Sequence, residues 1–190
     1  MIRADAGVFM KKIQALKEFE LPQGFRGRSS FVVQFWWIIQ GTLFGCSPQF
    51  MYGWRRFLLR AFGARIGKNV IIRPSARVTY PWRLSVGDDS WIGDDVVLYT
   101  LGSIDIGNDV VISQRSYLCT GSHDYSKRTF DIYQKPICVL PESWLATDVF
   151  IAPGVTIGHG AVVGARSTVL SDVPGGTISV GTPAKVVGTR

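Results

Sequence analysis

Between Arg65 and Arg190, aliphatic residues recur every six positions. Ile66, Ile72 and Val78 open the series. A two-residue shift gives Val86, Ile92 and Leu98, and another gives Ile106, Ile112 and Leu118. Leu145, Ile151, Ile157, Val163 and Val169 continue it. Glycine follows many of these directly, at Gly67, Gly87, Gly93, Gly107, Gly158 and Gly164. The fourth place after each aliphatic is mostly small or β-branched, as at Val70, Ala76, Ser90, Val110, Ser116 and Ala161. A period of six fits neither an ordinary helix nor an alternating strand. It is the signature of a parallel β-helix, in which six residues make one flat strand and one tight turn. Three such units close a triangular coil, and the coils stack along one axis. A β-sandwich requires alternation with a period of two, which is absent.

The chain has 190 residues and a formal charge of +7. A membrane surface and phosphate-bearing substrates suit that charge. Nucleic acid suits it less, because there is no long Lys/Arg run and no aromatic stacking platform. Cys46, Cys119 and Cys138 form no CxxC pair, which points to a reducing cytoplasm rather than a secretory route. The first residues lack the order of a signal peptide. The chain divides at about residue 64. Residues 1–64 form a helical arm and cap, and residues 65–190 form the β-helix with a C-terminal tail.

Within the arm, Phe9, Ile13 and Leu16 share a helical face, with Lys11, Lys12 and Lys17 elsewhere. Pro22, Gly24 and Gly27 mark a loop. Ser30 is a candidate N-cap for an uncharged helix over Phe31–Leu43. That run is too short for a membrane span. It either packs on the β-helix or lies in a membrane interface. Trp54, Phe57, Leu58 and Ala61 form the stripe of a second helix ending at Gly63. This helix is expected to cap the first coil. Arg55, Arg56 and Arg60 fall off the stripe, as a solvated face or as contacts to headgroups or a phosphorylated substrate.

The repeat breaks once on a larger scale. It stops at Gly121–Ser122–His123–Asp124 and resumes near Ile137 or Val139. The polar segment between predicts a loop protruding over residues 124–136, where a rigid solenoid can hold function. His123 stands at that break, and a histidine titrating near neutrality can take a proton from a hydroxyl. The only other histidine, His159, sits at a regular turn and reads as structural. Two histidines cannot supply a three-histidine zinc site, and no other ligand motif is present. No metal is expected.

Several segments together resemble the left-handed β-helix acyltransferases with hexapeptide repeats. They are Gly53–Trp54–Arg55–Arg56–Phe57–Leu58–Leu59–Arg60, Val111–Ile112–Ser113–Gln114, the run from Ser116 to Asp124, and Gly181–Thr182–Pro183–Ala184–Lys185. Within that superfamily the chain resembles the colanic-acid-biosynthesis acetyltransferases, related to maltose and galactoside O-acetyltransferases. The resemblance runs from about Pro48 to the end. It implies a mainly β fold, a homotrimer with active sites between subunits, and acetyl-CoA as co-substrate. His123 matches the family's general base, acting on a sugar hydroxyl without an acyl-enzyme. Asp124 either orients His123 or binds the acceptor. Thr147 and Ala165 match positions beside the pantetheine arm. Lys185 matches a basic residue near the CoA phosphates. Thr182 stands where asparagine is usual, and Gly188 where some relatives carry a second basic residue. CoA affinity then rests on Lys185, Arg166 or Arg190. Trp144 borders the CoA channel or caps the coil edge. Asp95, with Asp94, matches a sugar-contacting position or is a turn residue.

The implied acceptor is a small-molecule, lipid-linked or nucleotide-linked sugar in exopolysaccharide, capsule or O-antigen assembly. The implied setting is cytoplasmic, with peripheral contact at the inner face of the membrane open. N-acetylation of an amino sugar, serine acetylation and a non-catalytic scaffold are the alternatives.

Overall fold

The structure, a computed structural model, describes residues 12–190. The expected parallel β-helix is present. It is left-handed, with about six turns, and each coil contributes one short strand to each of three faces. The first face stacks Arg65–Ile66, Leu84–Val86, Ile104–Ile106, Ile137–Val139 and Thr156–Ile157. The second stacks Ile71–Ile72, Trp91–Ile92, Val111–Ile112, Trp144–Leu145 and Val162–Val163. The third stacks Arg77–Val78, Val97–Tyr99, Tyr117–Cys119, Phe150–Ile151 and Thr168–Val169.

The six-residue period is visible in burial. Ile72, Ile92, Ile112 and Leu145 point inward and are buried, while Trp91 and Trp144 beside them face outward. Burying one such aliphatic contributes about 1.5–3 kcal/mol. The small residues Ser90 and Ser116 are buried too, and their hydroxyls bond backbone carbonyls of the next coil, Gly107 and Ala146.

Coil length varies, and the variation builds the site. Arg65 lies beside Ser85 and Ser85 beside Asp105, so these coils take 20 residues. Asp105 lies beside Cys138, a coil of 33, and Cys138 beside Thr156, a coil of 18. The two-residue excesses fall where the third face turns to the first. There Tyr80 and Leu101 pack with Val33 as a small satellite core. The large excess, at the same corner one coil on, is a hairpin. Gly121–His123 pairs antiparallel with Ile132–Gln134. The protruding loop is therefore partly a strand pair.

Two helices close the open end. Helix α1 spans Ser30–Ile39 and continues through a wider π turn at Gln40–Phe44. Ser29, one residue before the expected cap, accepts from the Val32 amide at 3.4 Å. Trp36 and Phe44 are buried on the coil, so α1 packs as one of the two sequence expectations held. Helix α2 spans Tyr52–Ala61, and Gly63 ends it at φ +95°.

The apolar stripe expected on α2 needs correction. Phe57 is exposed, while Leu58, Leu59 and Arg55 are buried. Nor are Arg55 and Arg56 a solvated face, and Arg60, though exposed, is held at the coil edge. Arg55 donates to the carbonyls of Ile72, Pro48 and Gln49 and to the Ser47 hydroxyl. Arg56 donates to Val70 O, and Arg60 to Ile66 O and Gly67 O. Trp36 Nε1 donates to Val78 O at 2.7 Å, and Gln40 Oε1 accepts from the Val78 amide at 2.6 Å. The first coil has no preceding coil to pair with, and these side chains satisfy its strand edge.

Phe9 and Lys11 lie outside the described residues. Ile13 and Leu16 are exposed, and only Leu16–Glu18 forms a single 3₁₀ turn, so no helix runs through them. The tail prolongs the β-helix before it turns back. Thr177–Gly181 adds a rung to the second face beside Val162–Val163, and Ala184–Thr189 returns antiparallel to it.

Candidate active site

His123 ends the outgoing strand of the hairpin, opposite Ile132. Its Nδ1 lies 2.7 Å from the carbonyl oxygen of Phe130. A carbonyl only accepts, so Nδ1 carries the proton and Nε2 keeps its lone pair in the neutral ring. The Phe130 ring stacks on the imidazole, with centroids 4.3 Å apart and planes 8° from parallel. Phe19 tilts against it from the arm, at 6.0 Å. Phe130 adopts φ 54°, unusual for a bulky side chain, and its amide is held by Lys127 O at 3.0 Å. That turn aims the carbonyl back at the histidine.

The orienting role open to Asp124 is filled by Phe130. The Asp124 carboxylate instead caps its own turn, accepting from the Ser126 hydroxyl at 2.5 Å and the Ser126 amide at 3.0 Å. Those bonds hold the Asp124 carboxyl below the usual carboxylate range. Both use Oδ1, which leaves Oδ2 for another donor. The rest of the loop is pinned by Asp131, which accepts from Lys127 Nζ at 2.9 Å and from the Thr129 hydroxyl at 2.6 Å.

His123 and Asp124 line a hollow of about 780 Å³. Tyr125, Lys127, Tyr133 and Lys135 form one wall, and residues 20–23 of the arm form the other. The arm is tied at both ends. The Ala15 amide donates to Arg128 O, and Arg128 pairs with Glu18 at 2.6 Å. Beyond the hollow, Trp82 Nε1 donates to Arg26 O, and Arg83 bonds Phe25 O and Gln134. The arm wall and Phe130 were not legible in the sequence, because backbone contacts across the fold make them.

A second hollow, of about 510 Å³, runs along a different corner, where the second face turns to the third. Ser113, Trp144, Thr147, Gly164 and Ala165 line it. Trp144 is half-exposed, with its Nε1 donating to the Ser113 hydroxyl at 3.0 Å. Thr147 and Ala165 stack one coil apart, and the Arg166 amide donates to Thr147 O. Among the described residues, neither the Thr147 nor the Ala165 amide has a protein acceptor. Arg166 lies 3.8 Å from Asp148, which Arg115 already grips through both oxygens at 2.7 and 2.8 Å. That grip lowers the Asp148 carboxyl. Val180 of the tail abuts Gly164, and Lys185 pairs across the tail hairpin with Val180. Lys185 is thus exposed one strand beyond the groove.

No family model matches the chain. Over 178 residues, however, it is 57% identical to the WcaF protein of Escherichia coli K12, named as a colanic acid biosynthesis acetyltransferase. The match covers 94% of this chain and 98% of that protein. The chain belongs to the colanic-acid-biosynthesis acetyltransferase family. It is an acyltransferase. More distantly, it is 26% identical over 136 residues to galactoside O-acetyltransferase of Escherichia coli K12, covering 70% of this chain and 67% of that one. Among solved structures, a hexapeptide-repeat acetyltransferase of Vibrio cholerae crystallised with acetyl coenzyme A superposes with a TM-score of 0.80. It is 25% identical and covers 95% of this chain and 98% of its own. A maltose O-acetyltransferase of Clostridium difficile 630 gives 0.77 at 26% identity, covering 85% and 89%.

In this family member the site residues inferred from sequence divide between two corners. His123 and Asp124 stand where the third face turns to the first. Asp94, Asp95, Thr147, Ala165 and Arg166 stack where the second turns to the third, linked by Arg115 N→Asp94 O, Asp148 N→Gln114 O and Arg166 N→Thr147 O. A whole face separates the two sets. Asp94 is engaged by Arg73 at 2.9 Å and by Ser75. Asp95 borders a hollow with Ser75, Arg77 and Trp37. Among the described residues, no three His, Cys, Asp or Glu side chains are grouped to hold a metal.

Proposed function

We propose that this chain is an acetyl-CoA-dependent O-acetyltransferase of polysaccharide assembly, with His123 as general base. The observation that carries this reading is the Nδ1 contact to Phe130 O, which leaves Nε2 as the proton acceptor. Nε2 takes the proton from a sugar hydroxyl. The oxygen attacks the thioester carbonyl carbon, and the resulting oxyanion collapses with loss of the C–S bond. The departing thiolate takes the proton back from Nε2. The products are an acetyl ester and free CoA. Phe130 O supports the imidazolium that exists between the two transfers, because Nδ1–H donates more strongly when the ring is charged. A base so placed contributes about 10²–10⁴-fold in rate.

Direct transfer is favoured over an acyl-cysteine. Cys119, two residues before the hairpin, is half-buried, and its thiol is pushed up by desolvation. Its Sγ is turned to Gly121 O at 3.1 Å. A thiol held protonated is a poor nucleophile.

The groove of Thr147, Ala165 and Trp144 suits the pantetheine arm, with unpaired amides for its carbonyls and an aromatic wall. Lys185 and Arg166 are the cations available to its phosphates. Asp124 Oδ2 suits an acceptor hydroxyl, and Asp95 and Asp94 would act from the groove side. The acceptor is a sugar, free or linked to a lipid or nucleotide. Because His123 and the groove occupy different corners, the reading includes a homotrimer in which one subunit's His123 meets its neighbour's groove.

Mixed trimers test both parts. His123→Ala and a groove-filling Ala165→Trp each abolish thiol release alone. Refolded together, they regain a fraction of activity, because some clefts combine an intact His123 with an intact groove. No recovery on mixing would place the site within one chain. Near-full turnover by His123→Ala would remove the base. An acceptor panel including amino sugars separates O- from N-acetylation.

A further inference from the structure

The capping end of the prism carries an apolar surface that the catalytic reading does not use. Phe31 is 78% exposed, Ile38 62% and Phe57 58%. These side chains are joined rather than scattered. Phe31 stacks on Phe35, with centroids 6.2 Å apart, and Phe35 leans on Phe62 at 5.7 Å, linking α1 to α2. Trp54 stacks on Phe57 at 5.7 Å, and its Nε1 donates to Leu43 O at 2.9 Å, linking α2 back to the π turn. Leu43, which borders a hollow with Trp54, is exposed too. An exposed apolar face of this kind calls for a partner.

Charge identifies the partner. Residues 21–87 contain nine arginines, one lysine and no carboxylate side chain. Arg28 reaches the edge of the patch beside Gly63, with Nη2 3.9 Å from the position of a Cβ there. Arg60 ends α2, and Lys68 lies in the first coil. Among the described residues, no carboxylate pairs with Arg28, Arg60 or Lys68. Asp88, the carboxylate beside Lys68, accepts from its backbone amide at 2.7 Å rather than pairing with its side chain, so a second copy docking here would bring two mainly cationic ends together. A bilayer offers apolar depth for phenylalanine and tryptophan beside phosphates for arginine. No helix is long and apolar enough to cross it among the described residues.

We propose that this cap docks peripherally on an anionic lipid surface, with Phe31, Phe35, Ile38 and Phe57 entering the interface and Arg28 and Lys68 meeting headgroup phosphates. Apolar insertion and basic attraction reinforce one another in such anchors. The proposal rests on neither the acceptor nor the trimer.

Co-sedimentation tests it, using vesicles of phosphatidylcholine alone and of phosphatidylcholine with phosphatidylglycerol. The full chain is expected to pellet with the second and not the first, and to be released by salt. Arg28→Gln and Lys68→Gln each weaken binding about fivefold. Phe31→Ser with Phe57→Ser weakens it about tenfold or more. Unchanged thermal unfolding and unchanged thiol release with a soluble sugar would show that these variants fold. A wild-type chain left in the supernatant overturns the proposal. So do serine variants that bind as well as wild type. So does a concentration-dependent mass increase that the serine variants abolish, which would make the patch a contact between copies.

Discussion

His123 Nδ1 donates to the carbonyl of Phe130 across 2.7 Å, and that carbonyl is aimed by a backbone turn at φ 54°. The partner is main chain, so it cannot be deleted, but it can be moved. A β-branched side chain resists positive φ, whereas glycine accepts it. Phe130→Val should therefore swing the carbonyl away and lower kcat about tenfold or more. Phe130→Gly should keep the carbonyl, lose only the stacked ring, and retain more of kcat than valine. Steady-state kinetics, with ¹⁵N NMR of the His123 tautomer, separates the two. Equal losses in both variants would mean that the ring, not the carbonyl, sets the base.

Arg55 is the most exacting residue of the cap. It is fully buried and donates to three carbonyls and a hydroxyl at the edge of the first coil. Burial pushes its pKa down, yet a guanidinium stays charged inside a protein. Arg55→Ala would leave those acceptors unpaired and dry, costing about 3 kcal/mol or more. A marked fall in Tm is expected. Arg55→Lys should recover only part of it, since an ammonium cannot match the forked guanidinium.

That arginine also marks the limit of reading this chain without coordinates. The β-helix was legible because one residue in six must enter a narrow prism, and the period resumes after each interruption. His123 was legible because it stands where the period breaks. Arg55 was not, because an apolar-stripe argument ranks side chains by hydrophobicity and does not see strand-edge carbonyls waiting for donors. Phe130 was hidden for a related reason, since its contribution is a carbonyl seven residues from the histidine, delivered by a left-handed turn. The separation of Asp95 and Thr147 from His123 follows from which corner each coil's spare residues occupy, and two-residue shifts alone do not name the corner.

Acid should loosen the site loop before the coils. The Ser126 hydroxyl and amide hold the Asp124 carboxyl low. A depressed carboxyl contributes stability that is present above its ordinary value of about 4 and lost as pH falls through the lowered one. Hydrogen exchange at Ser126 and Lys127 should therefore accelerate in that acidic window. Asp124→Asn keeps a cap oxygen but does not titrate, so its exchange at Ser126 should respond less across the same window, and what remains at Lys127 belongs to Asp131, whose carboxyl Thr129 and Lys127 also hold low. A wild-type loop equally insensitive to acid would show that the cap carries no weight.

Gly164 joins the groove to the tail. A Cβ there would lie 2.6 Å from Val180 Cγ1, so any side chain must displace Val180. Val180 pairs with Lys185, and the displacement passes to the lysine proposed to meet the CoA phosphates. Overpacking of this kind costs about 1–3 kcal/mol of stability. Gly164→Ala is expected to raise the KM for acetyl-CoA severalfold and leave kcat near wild type, because His123 stands at another corner. Lys185→Ala should raise that KM by about tenfold, the scale of one charge-assisted bond. If position matters only through the lysine, the double variant should be no worse than Lys185→Ala alone. Additive losses would instead assign Gly164 its own contact with the ligand, and a fall in kcat with unchanged KM would detach the groove from CoA altogether.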